Sequence, residues 1–105
     1  MSDADTGSEG ETIGIELRFF ATFRAAAGRK VLEREFAAGT TVGDVLAAIE
    51  AEFPEMDGDI LDDEGDIKPQ LSVLKNGREV IHIDGTETPM GDGDTLSVFP
   101  PVAGG

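Results

Sequence analysis

The sequence predicts an α+β domain, a mixed sheet of four to five strands packed on one main helix. Three features carry that expectation. Several stretches alternate apolar and polar residues with a period of two, as half-buried strands do. One stretch, opening at Val42, spaces its apolar residues along a single helical face. Between two apolar runs lies Asn76-Gly77, the strongest short hairpin signal, because both residues tolerate positive φ.

Residues 1–11 hold Asp3, Asp5, Glu9 and Glu11 among Ser, Thr and Gly, with nothing to bury, and are expected to form a disordered tail. Ile13 to Phe20 is the first strand. Ile13, Ile15, Leu17 and Phe19 make its apolar face, and Phe20 is the one large apolar residue on the polar side. Ala21 to Gly28 should make a helical turn. A second strand, Lys30 to Phe36, alternates through Val31 or Leu32 and pairs antiparallel with the first. Thr41 then caps the main helix, Val42 to about Phe53, with Asp44 completing the capping pattern. Val42, Val45, Leu46, Ile49 and Phe53 fall on one face and read as core; Pro54 ends the helix.

Residues 55–70 are expected to be an acidic loop pinned by Ile60, Leu61 and Ile67. Its spacing does not fit a calcium loop: counting back from Gly65 places Ile60 where the first acid belongs, and from Gly93 places Thr88 there. Leu71 to Lys75 and Glu79 to His82 form the hairpin around Asn76-Gly77-Arg78. His82, the single histidine, reads as an ordinary strand residue with no partner for a metal pair. Pro89 to Asp94 is turn, and Thr95 to Phe99 the last strand. Strand, strand, helix, strand, short strand, strand is the order of the ubiquitin-like β-grasp, whose first and last strands lie parallel at the sheet centre. The domain runs over 12–99, with 100–105 a flexible tail.

Composition narrows the function. The net charge is -14, and residues 50–66 carry nine acids and no base, so nucleic acid and anionic membranes are disfavoured partners. Acids spread along the chain with only three lysines suit a solvated surface in concentrated salt. No apolar run approaches the length of a membrane span, and the acidic N-terminus does not resemble a signal peptide, so a cytoplasmic protein is expected. The absence of cysteine excludes disulfides, cysteine-ligated zinc and a thiol nucleophile of the chain's own.

The C-terminal stretch carries the chemistry. Leu96 to Phe99 runs into Pro100-Pro101-Val102-Ala103-Gly104-Gly105, where the prolines stiffen the chain and favour an extended path. Six residues reach roughly 20 Å, enough to enter a deep site while the body stays outside. Gly104 and Gly105 leave the terminal carboxylate unhindered. The expectation is that this tail inserts into a partner and that Gly105 is the residue acted upon.

Arg18-Phe19-Phe20-Ala21-Thr22-Phe23-Arg24 with Gly28, the turn Asn76-Gly77, Gly93-Asp94, and the ending Phe99-Pro100-Pro101-Val102-Ala103-Gly104-Gly105 resemble the MoaD/ThiS family of β-grasp sulfur carriers. The resemblance covers about residues 13–105. Acidity, few lysines and the longer 55–70 loop make the chain most similar to haloarchaeal members, the ubiquitin-like small archaeal modifier proteins. It implies that an E1-like activating enzyme uses ATP to convert Gly105 to an acyl-adenylate. From there the resemblance implies an isopeptide bond to a target lysine, or a thiocarboxylate. The chain would bind no cofactor itself; it is a substrate and carrier, not a catalyst.

A docking surface follows from the topology. With the first and last strands parallel, Leu96 and Val98 face the helix, while Ser97, Phe99 and Phe20 face outward beside the root of the tail. A paired exposed aromatic patch marks a contact surface, and matching positions in the resembled family contact partners. The resemblance also implies that Arg24 helps engage the activating enzyme. Three functions remain open: a modifier conjugated to lysines, a dedicated MoaD-type sulfur carrier serving a molybdopterin synthase large subunit, and a binding domain with an inert tail. The haloarchaeal character places conjugation first, with sulfur transfer close behind.

Overall fold

The computed structural model describes residues 11–101. Its elements are β1 (Thr12–Phe19), α1 (Ala21–Ala27), β2 (Val31–Ala37), α2 (Val42–Glu52), β3 (Ser72–Lys75), β4 (Arg78–Glu79) and β5 (Thr95–Phe99), with 3-10 turns at Pro54–Met56, Val80–His82 and Gly85–Glu87. The five strands form one mixed sheet in the order β2-β1-β5-β3-β4. β1 and β5 are parallel, with Leu17 opposite Leu96 and Phe19 opposite Val98. The other neighbours are antiparallel. This is the expected β-grasp arrangement.

One face of the sheet meets α2. Ile15, Leu17, Phe19, Leu32, Val73, Leu96 and Val98 supply the sheet side of the core, and Val42, Val45, Leu46 and Ile49 the helix side. The capping box is present: Thr41 Oγ1 accepts from the Asp44 N–H and Asp44 Oδ2 from the Thr41 N–H. Phe53 caps the other end, half-buried, its ring edge-on to Phe19 with centroids 6.1 Å apart. Gly43 lies so close to the Gly85–Glu87 turn that a Cβ there would sit 2.9 Å from Thr86 Cβ.

One expectation is sharpened and three change. The helical turn expected over Ala21 to Gly28 is a short helix, Ala21–Ala27, anchored by buried Phe23 and closed by Gly28 at φ 77°. Phe20 is not the last residue of β1 but the N-cap of α1, still extended at φ -130° and ψ 150°. The hairpin around Asn76 (φ 52°) and Gly77 (φ 87°) forms, but its second strand stops at Glu79. Val80–His82 coils into a 3-10 turn, so His82 is an exposed turn residue and not a strand residue. Val80 plugs the core fully, and Ile83 N–H closes the turn on Val80 O at 2.9 Å. The turn puts Val80 inside and leaves Ile81 61% exposed.

The acidic loop is more built than a solvated excursion. Met56 and Ile60 are completely buried, and Leu61 bridges to Ile67. A single carboxylate oxygen, Glu50 Oε2 on α2, accepts from the N–H groups of both Ile60 and Leu61 at 2.9 Å. Asp62 Oδ1 in turn receives the N–H groups of Glu64 and Asp66. Among the described residues no group of three His, Asp or Glu is arranged to hold a metal ion, and no helix is long and apolar enough to cross a membrane.

Candidate functional site

The parallel register of β1 and β5 brings both strands to an end on the same side of the sheet. Past Phe19 the chain turns into α1, and past Phe99 it leaves as Pro100-Pro101. The two aromatics beyond the shared edge, Phe20 and Phe99, stack with centroids 4.1 Å apart and planes 11° from parallel. Both rings stay half-buried, so each covers the other while one side of the pair remains open. Phe99 is also level with Ser72 of β3, which completes that row of the open sheet face. In the next row Val31, Arg18, Ser97 and Leu74 stand opposite one another across β2, β1, β5 and β3. Arg18 is held by Glu16 at 2.5 Å.

The switch from β1 into α1 is sharp. Ala21 adopts φ 54°, the left-handed region, which costs an alanine about 1–2 kcal/mol. Such strain gathers where a surface must be held in one shape. Here it redirects the backbone immediately after Phe20, while the Phe23 and Arg24 N–H groups close on Phe20 O at 3.1 and 3.4 Å. Arg24 therefore projects from the last turn of α1, exposed, one helical turn along the chain from Phe20.

Of the residues singled out in the sequence, Phe20, Phe99 and Arg24 are thus assembled around the start of the tail. Pro100 is half-buried against the body and Pro101 is exposed. Val102, Ala103, Gly104 and Gly105 lie outside the described residues. Sequence reasoning passed over Arg29 and Lys30, which adjoin Arg24 beyond Gly28. Their signal was available: from Phe19 to Leu32 there is no acid, in a chain with 22 acids.

A second cluster keeps β5 in register. Asp94 Oδ1 accepts from Asn76 Nδ2 at 2.9 Å, Asp94 Oδ2 from the Gly91 N–H at 2.6 Å, and Lys75 Nζ lies 3.6 Å away. Asn76 Oδ1 takes the Thr95 N–H. Burial alone would raise the Asp94 pKa, but the bonds from Asn76 and Gly91 with the Lys75 charge outweigh it and hold the carboxyl below its ordinary value. Among the described residues the site pairs no nucleophile with a base. It offers an aromatic contact, a cation and a stiff exit for a peptide terminus.

The ThiS family model matches residues 17–105. Small archaeal modifier protein 3 of Haloferax volcanii is 54% identical over 91 residues, covering 87% of this chain and 98% of the relative. The solution structure of the Haloferax volcanii HVO 2177 protein superposes with a TM-score of 0.83 at 50% identity, over 100% of this chain and 94% of that one. The crystal structure of H. volcanii small archaeal modifier protein 1 gives 0.74 at 28% identity, over 86% and 99%.

Proposed function

This chain belongs to the ThiS family, and from that premise we propose that it is a ubiquitin-like protein modifier. In this reading an E1-type enzyme activates the Gly105 carboxylate with ATP, and the acyl group passes to target lysines as an isopeptide bond. The same activated terminus also carries sulfur as a thiocarboxylate. The observation that carries the reading is the Phe20–Phe99 stack at the root of the Pro-Pro-Val-Ala-Gly-Gly tail. Identity to a protein named a small archaeal modifier supports conjugation as the main outcome.

The chemistry balances without any catalytic group of the chain. A Gly105 carboxylate oxygen attacks the α-phosphorus of ATP and pyrophosphate leaves. The acyl-adenylate has what the carboxylate lacked, a good leaving group. A lysine Nζ adds to the acyl carbon, AMP departs, and the nitrogen sheds a proton. Hydrosulfide, supplied by another molecule because the chain has no cysteine, adds to the same carbon instead; AMP departs, and loss of a proton leaves the thiocarboxylate. Phe20, Phe99 and Arg24 dock the activating enzyme; Pro100, Pro101, Val102, Ala103 and Gly104 thread the terminus into it. Any Cβ at 104 obstructs that passage. The large subunit of molybdopterin synthase is the partner for the sulfur branch, and the cytoplasm is the compartment.

The test is a tagged chain recovered from cells and examined by mass spectrometry, beside a variant lacking Gly105. Branched peptides that end in Val102-Ala103-Gly104-Gly105 on lysines of other proteins mean conjugation. A free chain heavier by the difference between sulfur and oxygen means sulfur carriage. If the intact chain yields neither, or the shortened one yields both undiminished, the proposal is wrong.

A further inference from the structure

Beside the aromatic pair is a shallow depression of about 420 Å3 lined by Ala21, Arg24, Ala25, Gly28, Arg29 and Lys30. Three of its lining residues are small and three are cations. All three cations are exposed, and none has a carboxylate partner among the described residues, unlike Arg18, Arg34 and Lys75. The basin is fixed to the end of the sheet from which the tail departs. Phe19 N–H donates to Lys30 O at 2.9 Å, and Phe19 is level with Val98, one residue before Phe99. Adjacent strands lie about 4.8 Å apart, so the β2 end of the basin is on the order of 10 Å from the root of the tail.

We propose that this basin is a carboxylate-binding site, and that its occupant is an acidic segment of the protein that receives the tail. The identity of that partner rests on the function proposed above; the binding chemistry does not. Three unpaired cations gathered at one depression of a chain with net charge -14 make a local reversal of sign. An anion is repelled over most of the molecule and accepted here, so at contact range this is the face that takes a carboxylate. Arginine favours a carboxylate because its planar fork matches both oxygens. The small lining residues Ala21, Ala25 and Gly28 leave room for a peptide backbone beside the cations. A nucleic acid presents anions too, but its phosphates extend well beyond the basin, over surface that repels them. Gly105 and the aromatic pair provide the reaction and the apolar contact. Arg29 and Lys30 add selection between partners.

The probe is a hexaglutamate peptide, titrated into the full-length 15N-labelled chain in 0.1 M KCl. The amide signals of residues 21–30 should shift and saturate. The effect should fade as KCl is raised to 1 M, where the Debye length falls from about 10 Å to about 3 Å. Arg29→Glu with Lys30→Glu should weaken binding at least tenfold while the spectrum stays dispersed, and Arg29→Lys with Lys30→Arg should restore most of it. Shifts that are absent or scattered over the surface in the wild-type chain would overturn the site even if the variant failed to fold. Equal binding by the double variant would do so as well. So would tighter binding of a ten-residue thymidine oligonucleotide than of the peptide, since that would make the surface one for nucleic acid. None of these outcomes depends on Gly105 being activated, so failure of the site and failure of the proposed function are distinguishable.

Discussion

Phe20 and Phe99 are half-buried against each other and stand apart from the core of Leu17, Phe19, Leu96 and Val98. Replacing both by serine removes a stacked pair worth about 1 kcal/mol beyond its buried area. The fold should survive, with dispersed NMR signals, while binding to the proposed activating enzyme weakens more than tenfold in a pull-down or calorimetric titration. Asp94 gives a pH signature. Its carboxyl titrates below its ordinary value in the folded chain, so its contribution is complete above the unfolded pKa of about 4 and is lost as pH falls through the lower folded value. The stability gap between wild type and Asp94→Asn should therefore be widest near neutrality and shrink below about pH 4, as urea midpoints at several pH values would show.

At the level of elements, Glu50 is the clip between α2 and the acidic loop. Glu50→Ala leaves the N–H groups of Ile60 and Leu61 without their acceptor and should cost about 2 kcal/mol. That reads as a fall in Tm of roughly 10 °C, with hydrogen exchange speeding up first at residues 56–67. The sequence showed where the loop's apolar pins lay but not this bond, because a glutamate on a helix looks the same whether it faces water or two backbone donors. For the same reason the strand expected over Glu79 to His82 is shorter in the structure, where it ends at Glu79. Val80, Ile81 and Ile83 satisfy a strand or a 3-10 turn equally until the core decides which of them it can hold. What was legible had a strong local cause: the Thr41–Asp44 cap, the α2 stripe, the Asn76-Gly77 turn, and the β1 and β5 alternation that brought Phe20 beside Phe99. The left-handed Ala21 left no mark, since nothing about alanine announces positive φ.

Across the whole molecule, 22 acids against eight bases mean self-repulsion in dilute buffer. Raising KCl from 0.1 to 2 M should raise Tm, most steeply over the first part of that range while screening is still incomplete. A flat or falling Tm would remove salt adaptation as the reason for the acidity. The central parallel pair has another consequence. β1 and β3 both precede β5 in the chain, so during synthesis they wait without their shared central neighbour until Thr95–Phe99 arrives. The strand that completes the sheet is the one from which the tail emerges. Premature termination before it would yield a chain unable to assemble its interior, so the strand that carries Phe99 to its place beside Phe20 is also the one that closes the architecture.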